Sequence, residues 1–243
     1  NFKMTSGFEL FENYNGFITT DEDGTNIYGW ENLSQKSIES TIHINGGGLY
    51  GYVDKGQILI KDEDKEFILN EGEWFTTRHN ASIDIISSTY RFCAWQKEGY
   101  LGVMSKGLVE DFGRLKYIDG CKDSILSNPI KMGLPCMNAL YMPEGVNQTM
   151  HTHPSTRSGF IFKGGAKCET PEETYDLNAG QIFFLKKGTK HKFRSDHGKD
   201  ITMKLVAFHP DSDFGPTDEN HPMLNKTIVN GISASKLDNI RTK

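Results

Sequence analysis

Residues 150–165, MHTHPSTRSGFIFKGG, set two histidines one residue apart, then a short polar link, then a hydrophobic run closed by paired glycines. The right-hand half decides the fold, because it has a copy. GFIFKG at 159–164 repeats GYVDKG at 51–56 in its glycine, aromatic, β-branched, lysine and closing glycine positions, at an offset of 108. The same offset returns downstream, where FILNEG at 67–72 meets YDLNAG at 175–180 and aligns Leu69, Asn70 and Gly72 with Leu177, Asn178 and Gly180. Two matches in one register indicate a duplicated unit.

Each copy consists of short β-type runs broken by turn chemistry. The first has QILI, a KDEDK turn, EFIL, NEGE and WFTT; the second has GFIF, TYDL, NAG, QIFFL, KKG and KHKF. Many short strands with glycine turns predict an all-β chain of the sandwich or barrel kind. The segment 99–117, GYLGVMSKGLVEDFGRLKY, holds the junction and is read as strands plus a short helix. This gives a first unit over 1–110 and a second over 111–243. The stretch from Pro210, with Gly215, Pro216 and Pro222, reads as an irregular tail that covers a barrel or a subunit contact.

A chain of 243 residues has room for one large or two modest domains. With 24% charged residues and no apolar run near the roughly 18 residues that cross a bilayer, membrane insertion is not expected. The start NFKMTSGFEL lacks the basic and apolar parts of a secretory signal, and Met4 reads as the natural first residue. Cys93, Cys121, Cys136 and Cys168 lie far apart, as reduced thiols of a cytoplasmic protein would, and Cys136 and Cys168 read as small buried hydrophobes. A net charge of −5 argues against a nucleic-acid partner. Exposed sheet edges favour a homodimer.

The histidines carry the chemistry. Alternate residues of a strand share a face, so His151 and His153 can reach one point while Thr152 faces away. Two imidazoles hold a metal weakly. A third candidate, His191, follows the tight turn at Gly188, and a hairpin folded over the first pair would let three neutral imidazoles cap one ion. On the same parity argument, Lys192 and Arg194 face outward. The competing reading, imidazoles on a solvent-facing edge strand, is the weaker one because His191 and the flanking glycines stand at matching spacing.

That spacing, Gly145, five residues, His151, one residue, His153, then Gly180, five residues, Lys186, one residue, Gly188, two residues and His191, closely resembles the paired motifs of the cupin superfamily. The resemblance runs directly from Gly145 to Ser195 and reaches most of the chain through the repeat. It implies two tandem antiparallel β-barrels of the double-stranded β-helix or jelly-roll type, a bicupin, with a mononuclear metal held by His151, His153 and His191. The glutamate that usually follows the second histidine is absent from PSTRSGF, where Ser158 falls nearest its place; Lys186 stands for the usual proline and Ser195 for the closing asparagine. The set resembles the three-histidine variant of some cupin dioxygenases, which implies Fe(II); imidazoles also suit Zn, Ni, Mn and Cu. Projected back by 108 positions, the three histidines fall on His43, Asn45 and Ile83, so the first barrel carries a degenerate site.

Other residues are assigned around this centre. Arg157 is read as an anchor for a substrate carboxylate, with a surface arginine as the equal alternative, and Tyr141 as a second catalytic candidate. Ser158, Phe160, Phe162 and Phe193 are taken as pocket lining. His43 is read as an interior histidine, His79 as a loop residue, and His197 is given no role. His209 and His221, with Asp211 and Asp213, would make a second metal site, but a capping loop is preferred because the carboxylates lack the order of a calcium loop. The leading functional expectation is an Fe(II)-dependent oxidoreductase, a dioxygenase-type enzyme acting on a small, carboxylate-bearing molecule. An isomerase, lyase or hydrolase using the ion as a Lewis acid is one alternative, and a non-catalytic small-ligand-binding cupin is another.

Overall fold

Gly51 and Gly159 occupy the same place in two copies of one pattern. The computed structural model describes residues 6–34, 40–63, 65–196 and 202–242. In it, a side chain at Gly51 would collide with the Phe75 ring and stand 2.6 Å from the Cys93 carbonyl oxygen. One at Gly159 would collide with the Phe183 ring and stand 3.0 Å from the Val206 carbonyl oxygen. Phe75 and Phe183 are again 108 positions apart, so each copy threads a large ring over a bare backbone at the same point.

Turn residues cut the chain into short strands. Ahead of the junction come β1 (Phe8–Phe11), β2 (Asn15–Thr20), β3 (Thr25–Asn32), β4 (Thr41–Ile44), β5 (Gly47–Lys55), β6 (Ile58–Asp62), β7 (Lys65–Leu69), β8 (Glu73–Thr76), β9 (Ala81–Ile85), β10 (Tyr90–Glu98) and β11 (Ser105–Leu108). After it come β12 (Leu115–Lys116), β13 (Lys122–Ser127), β14 (Cys136–Met142), β15 (Arg157–Lys163), β16 (Gly165–Glu169), β17 (Thr174–Asn178), β18 (Ile182–Leu185), β19 (Lys192–Arg194) and β20 (Met203–His209). The segment 99–117 holds β11 and β12 but no helix, contrary to the expectation. Gly99, Gly102, Gly107 and Gly113 recur too often there for a helix to be stable.

All strand pairs are antiparallel. The first barrel closes a sheet in the order β11-β8-β5-β10-β3-β2 over a second in the order β4-β9-β6-β7. Its interior is apolar, with Leu49, Val53, Ile58, Leu69 and Ile83 essentially inaccessible. Ile83 lies opposite Ile42, while His43 lies opposite Ser82 and is exposed. The interior role expected of His43 is therefore corrected: on β4 the even residues point inward, and His43 has the other phase. At the place of His191 the first barrel carries the buried Ile83.

The second barrel packs the sheet β1-β18-β15-β20-β14-β13-β12 against β17-β16-β19. Its first member comes from the head of the chain: Phe8 pairs with Leu185 and Phe11 with Ile182. Between the barrels lies a third cluster, in which Tyr52, Cys93 and Trp95 meet Phe160, Phe184 and Phe208. Trp95 Nε1 donates to Ser158 Oγ at 2.8 Å, and Ser158 donates to the Phe183 carbonyl at 2.7 Å. Tyr14 donates across the same seam to the Gly180 carbonyl at 2.6 Å. All four cysteines are free and buried.

After β20 the chain runs over the loop that precedes β14, where Met132 N–H donates to Pro216 O at 3.1 Å and Gly133 N–H to Ser212 O at 3.0 Å. It ends in the short helix α1 (Pro222–Lys226) and the hairpin β21 (Ile228–Val229) and β22 (Ile232–Ser233). Among the described residues, no helix is long and apolar enough to cross a membrane.

Candidate metal centre

Gly188 adopts φ +74°, a turn that folds the segment after β18 back toward residues 151–153. His151 and His191 then exchange both backbone hydrogen bonds, at 2.9 and 3.0 Å, and Gly188 N–H donates to the His153 carbonyl at 3.0 Å. Residues 152–156 form no regular strand, yet Thr152 is exposed while the two histidines turn inward beside it. The three rings lie 4.4 to 5.1 Å apart between centroids. One nitrogen from each falls within 4.8 Å of the others.

The hydrogen bonds fix which nitrogens converge. His151 Nδ1 lies 2.7 Å from the Thr149 carbonyl and His191 Nδ1 lies 3.0 Å from the Thr189 carbonyl. A carbonyl only accepts, so in both rings Nδ1 carries a proton, which leaves Nε2 as the nitrogen that could reach a metal. Outer partners of this kind orient metal-binding imidazoles. Burial pushes His153 down to about 3 and His191 down to about 4, and the nearby Arg157 charge pushes both the same way. Both rings are therefore neutral at pH 7, the form a metal requires. Three imidazoles, each with a nitrogen within 4.8 Å of the others, fit a first-row divalent ion.

The triad opens into a cavity of about 100 Å³. Phe183, Leu185, Phe193 and Leu205 make its floor, and Arg157 stands on its wall. Arg157 Nη1 is held by Ser155 Oγ and by the Thr156 carbonyl at 3.0 Å, with Asp211 3.9 Å away. Its Nε is buried and has no partner. Burial lowers the pKa of the guanidinium, although the Asp211 carboxylate works the other way.

Of the residues assigned around the centre, the structure brings His151, His153, His191, Arg157 and Phe193 together in one cavity. It leaves four others out. Phe160 and Phe162 stack on Tyr52 of the first barrel, at 5.7 and 5.2 Å between centroids, and Ser158 is bonded to Trp95. These three share the phase of β15 that faces the other barrel, while Arg157 has the opposite phase. Tyr141 donates to the Glu110 carbonyl, out of phase with Asn138 and Leu140, which do line the cavity.

Among the lining residues that the sequence reading did not assign to the cavity are His209, Asn138 and Asp123. His209 ends β20 in phase with Leu205 and Ala207. Asn138 and Asp123 sit on the adjacent strands β14 and β13. The parity of MKLVAFH was the available signal for His209, but the proline that follows it reads as a loop. The alternative second metal site does not assemble: Asp211 accepts from Ser155, and His221 Nδ1 accepts from Met223 N–H at 3.2 Å. Among the described residues, the triad is the one group with metal-binding geometry. Lys192 and Arg194 face outward to Glu169, at 3.2 and 2.5 Å. His79 lies in the loop after β8, and His197 lies outside the described residues.

Comparison with known proteins agrees with this architecture. The AraC-like ligand binding domain family matches residues 143–231. No curated protein gives a significant match. Among solved structures, a Cupin 2 conserved barrel domain protein from Leptotrichia buccalis superposes with a TM-score of 0.57 at 12% identity, covering 84% of this chain and 89% of that one. Salicylate 1,2-dioxygenase from Pseudaminobacter salicylatoxidans superposes with a TM-score of 0.59 at 8% identity, over 77% and 71% of the two chains. The same enzyme as an adduct with gentisate gives a TM-score of 0.60 at 8% identity, over 77% and 68%. At such identities the likeness shows the fold alone, a β-barrel fold of the kind seen in these cupin-type structures.

Proposed function

We propose that the second barrel is a mononuclear metal site that works on a small anionic molecule, as a non-haem Fe(II) oxygenase. The observation that carries this reading is the convergence of three imidazoles on a cavity that Arg157 also lines. His151, His153 and His191 would hold the ion. An ion held by three neutral ligands supplies an uncompensated positive charge and open positions where substrate and dioxygen can meet.

The rest belongs to the protein. Arg157 takes the anionic end of the substrate through the part of its guanidinium left free once Nη1 is committed to Ser155 and Thr156. The apolar floor of Phe183, Leu185, Phe193 and Leu205 selects a mainly hydrocarbon body and keeps water out. The salicylate dioxygenase neighbours, one of them an adduct with gentisate, support an aromatic acid as the first probe. A second reading, a ligand-binding module without turnover, is favoured by the AraC-like ligand binding match over 143–231.

Metal analysis of untagged protein, followed by oxygen uptake with Fe(II) and aromatic acids, tests the proposal. The expected result is one ion per chain and uptake that His191→Ala abolishes. One ion without uptake favours the binding module, and no ion at all overturns the metal reading.

A further inference from the structure

The wall of the cavity beside the triad is made by three adjacent strands. Asp123 on β13, Asn138 on β14 and His209 on β20 project from the same face, because Asp123 pairs with Leu140 and Asn138 with Ala207 in the ladder. Their side chains are joined in a line. Asn138 Nδ2 donates to Asp123 Oδ1 at 2.9 Å, and Asn138 Oδ1 lies 2.7 Å from His209 Nε2.

The line has a direction. An ionised carboxylate only accepts, so Asp123 fixes the amide with its NH₂ toward β13 and its oxygen toward β20. That oxygen in turn only accepts, so His209 Nε2 carries the ring proton. His209 is kept neutral by burial and by the nearby Arg157 charge. A neutral imidazole protonated at Nε2 keeps a lone pair at Nδ1, and the hydrogen bond that His209 makes among the described residues runs through Nε2. The cavity is thus lined by a donor, the Arg157 guanidinium, and by the His209 ring, whose Nδ1 is left as an acceptor, together with apolar side chains.

We propose that His209, oriented by Asn138 and Asp123, is a specificity-determining residue that accepts a hydrogen bond from a hydroxyl or N–H of the ligand whose anionic group Arg157 holds. This rests on the reading that the cavity takes a small anionic molecule. The ligand class narrows to acids that carry a second, donating substituent. Asn138 and Asp123 act as positioning residues: Asn138 bonds the His209 ring, and Asp123 bonds Asn138. A plain acid would leave the Nδ1 lone pair buried without a donor, a loss that disfavours it by roughly tenfold or more.

The test compares benzoate with its 2-, 3- and 4-hydroxy derivatives by calorimetry, on the wild type with Zn(II) bound and on the apoprotein. At least one hydroxy acid is expected to bind the wild type about tenfold or more tighter than benzoate. His209→Phe should reduce that preference to less than about threefold, while Arg157→Leu weakens all four acids. Asn138→Leu should also erode the preference, since the ring is then free to turn. Nitrogen-15 spectra of the wild type give a second readout that needs no variant: the His209 Nδ1 resonance moves on adding the preferred hydroxy acid and stays in place on adding benzoate. Equal affinities, no binding of any acid, or a preference that survives His209→Phe and so comes from chelation of the ion, each overturn the proposal. If Zn(II) does not bind but the His209-dependent preference persists in the apoprotein, the metal reading falls and this inference stands.

Discussion

Asp123 is a carboxyl placed where a carboxylate is costly. Burial raises it from 3.8 to about 6, and the hydrogen bond from Asn138 recovers only part of the loss. Below pH 3.8 both folded and unfolded chains hold the proton, and the group is neutral to stability. Between 3.8 and about 6 the unfolded chain ionises first, so the folded state binds more protons and stability falls as pH rises. Above about 6 the penalty is complete, on the order of 2–3 kcal/mol for a shift of this size. Asp123→Asn keeps an acceptor for Asn138 and removes the charge. Urea unfolding should find the variant more stable than the wild type at pH 7 by up to about 2 kcal/mol, with the gap closing toward pH 4. The depressed histidines of the cavity act with the opposite sign, since the unfolded chain takes up their protons as pH falls through the ordinary value of 6.5. They are present in both proteins and cancel in the difference. A gap that does not change with pH would show that Asp123 is not the group responsible.

At the scale of elements, β15 explains what the sequence could and could not reveal. Its two faces are both buried: one turns to the cavity through Arg157, the other to the first barrel through Ser158, Phe160 and Phe162. A strand buried on both sides shows no alternation of polarity, so the phase that assigns residues to a face is unreadable. This is why three pocket assignments on β15 went to the wrong side, and why Tyr141 on the equally buried β14 did too. The triad was legible because spacing, not polarity, carried it: a one-residue gap, a glycine turn and a histidine after it. The repeat was legible for the same reason, and Gly51 and Gly159 allow it to be tested. Changing either to Ala drives a methyl group into Phe75 or Phe183, and overpacking of this kind costs typically 1–3 kcal/mol. Thermal unfolding should show similar losses for the two variants. Only Gly159→Ala should also weaken acid binding, because Phe183 lines the cavity and Phe75 lies in the other core. Ser158→Ala makes the converse separation: it leaves the buried Trp95 N–H without an acceptor, at about 1–3 kcal/mol, and should leave metal affinity unchanged.

At the scale of the whole molecule, the two barrels are cross-braced. We propose units of 1–110 and 111–243, and the first lends its leading strand to the second: β1 covers the edge of β18, and Gly7 O accepts from Lys186 N–H at 2.8 Å, near the turn that carries His191. The seam between them contains Trp95, Phe160 and Phe208, all without measurable exposure, so neither half can separate without opening a core to water. The first barrel then has a physical task, since it walls β15 and holds Phe183 in place through Ser158. Cooperative unfolding follows from this bracing and can be followed half by half. The three tryptophans, Trp30, Trp74 and Trp95, all lie in the first unit, whereas the imidazole resonances of His151, His153 and His191 report on the second. In urea the two signals should be lost at one midpoint. Removing residues 1–11 forfeits the burial of Phe8, worth about 2–3 kcal/mol, and should lower both midpoints together even though the deleted strand pairs with the second barrel's sheet. Two separate transitions, or a truncation that moves the histidine signal alone, would show that the barrels fold independently, and the seam would then be a contact between finished domains instead of a shared core.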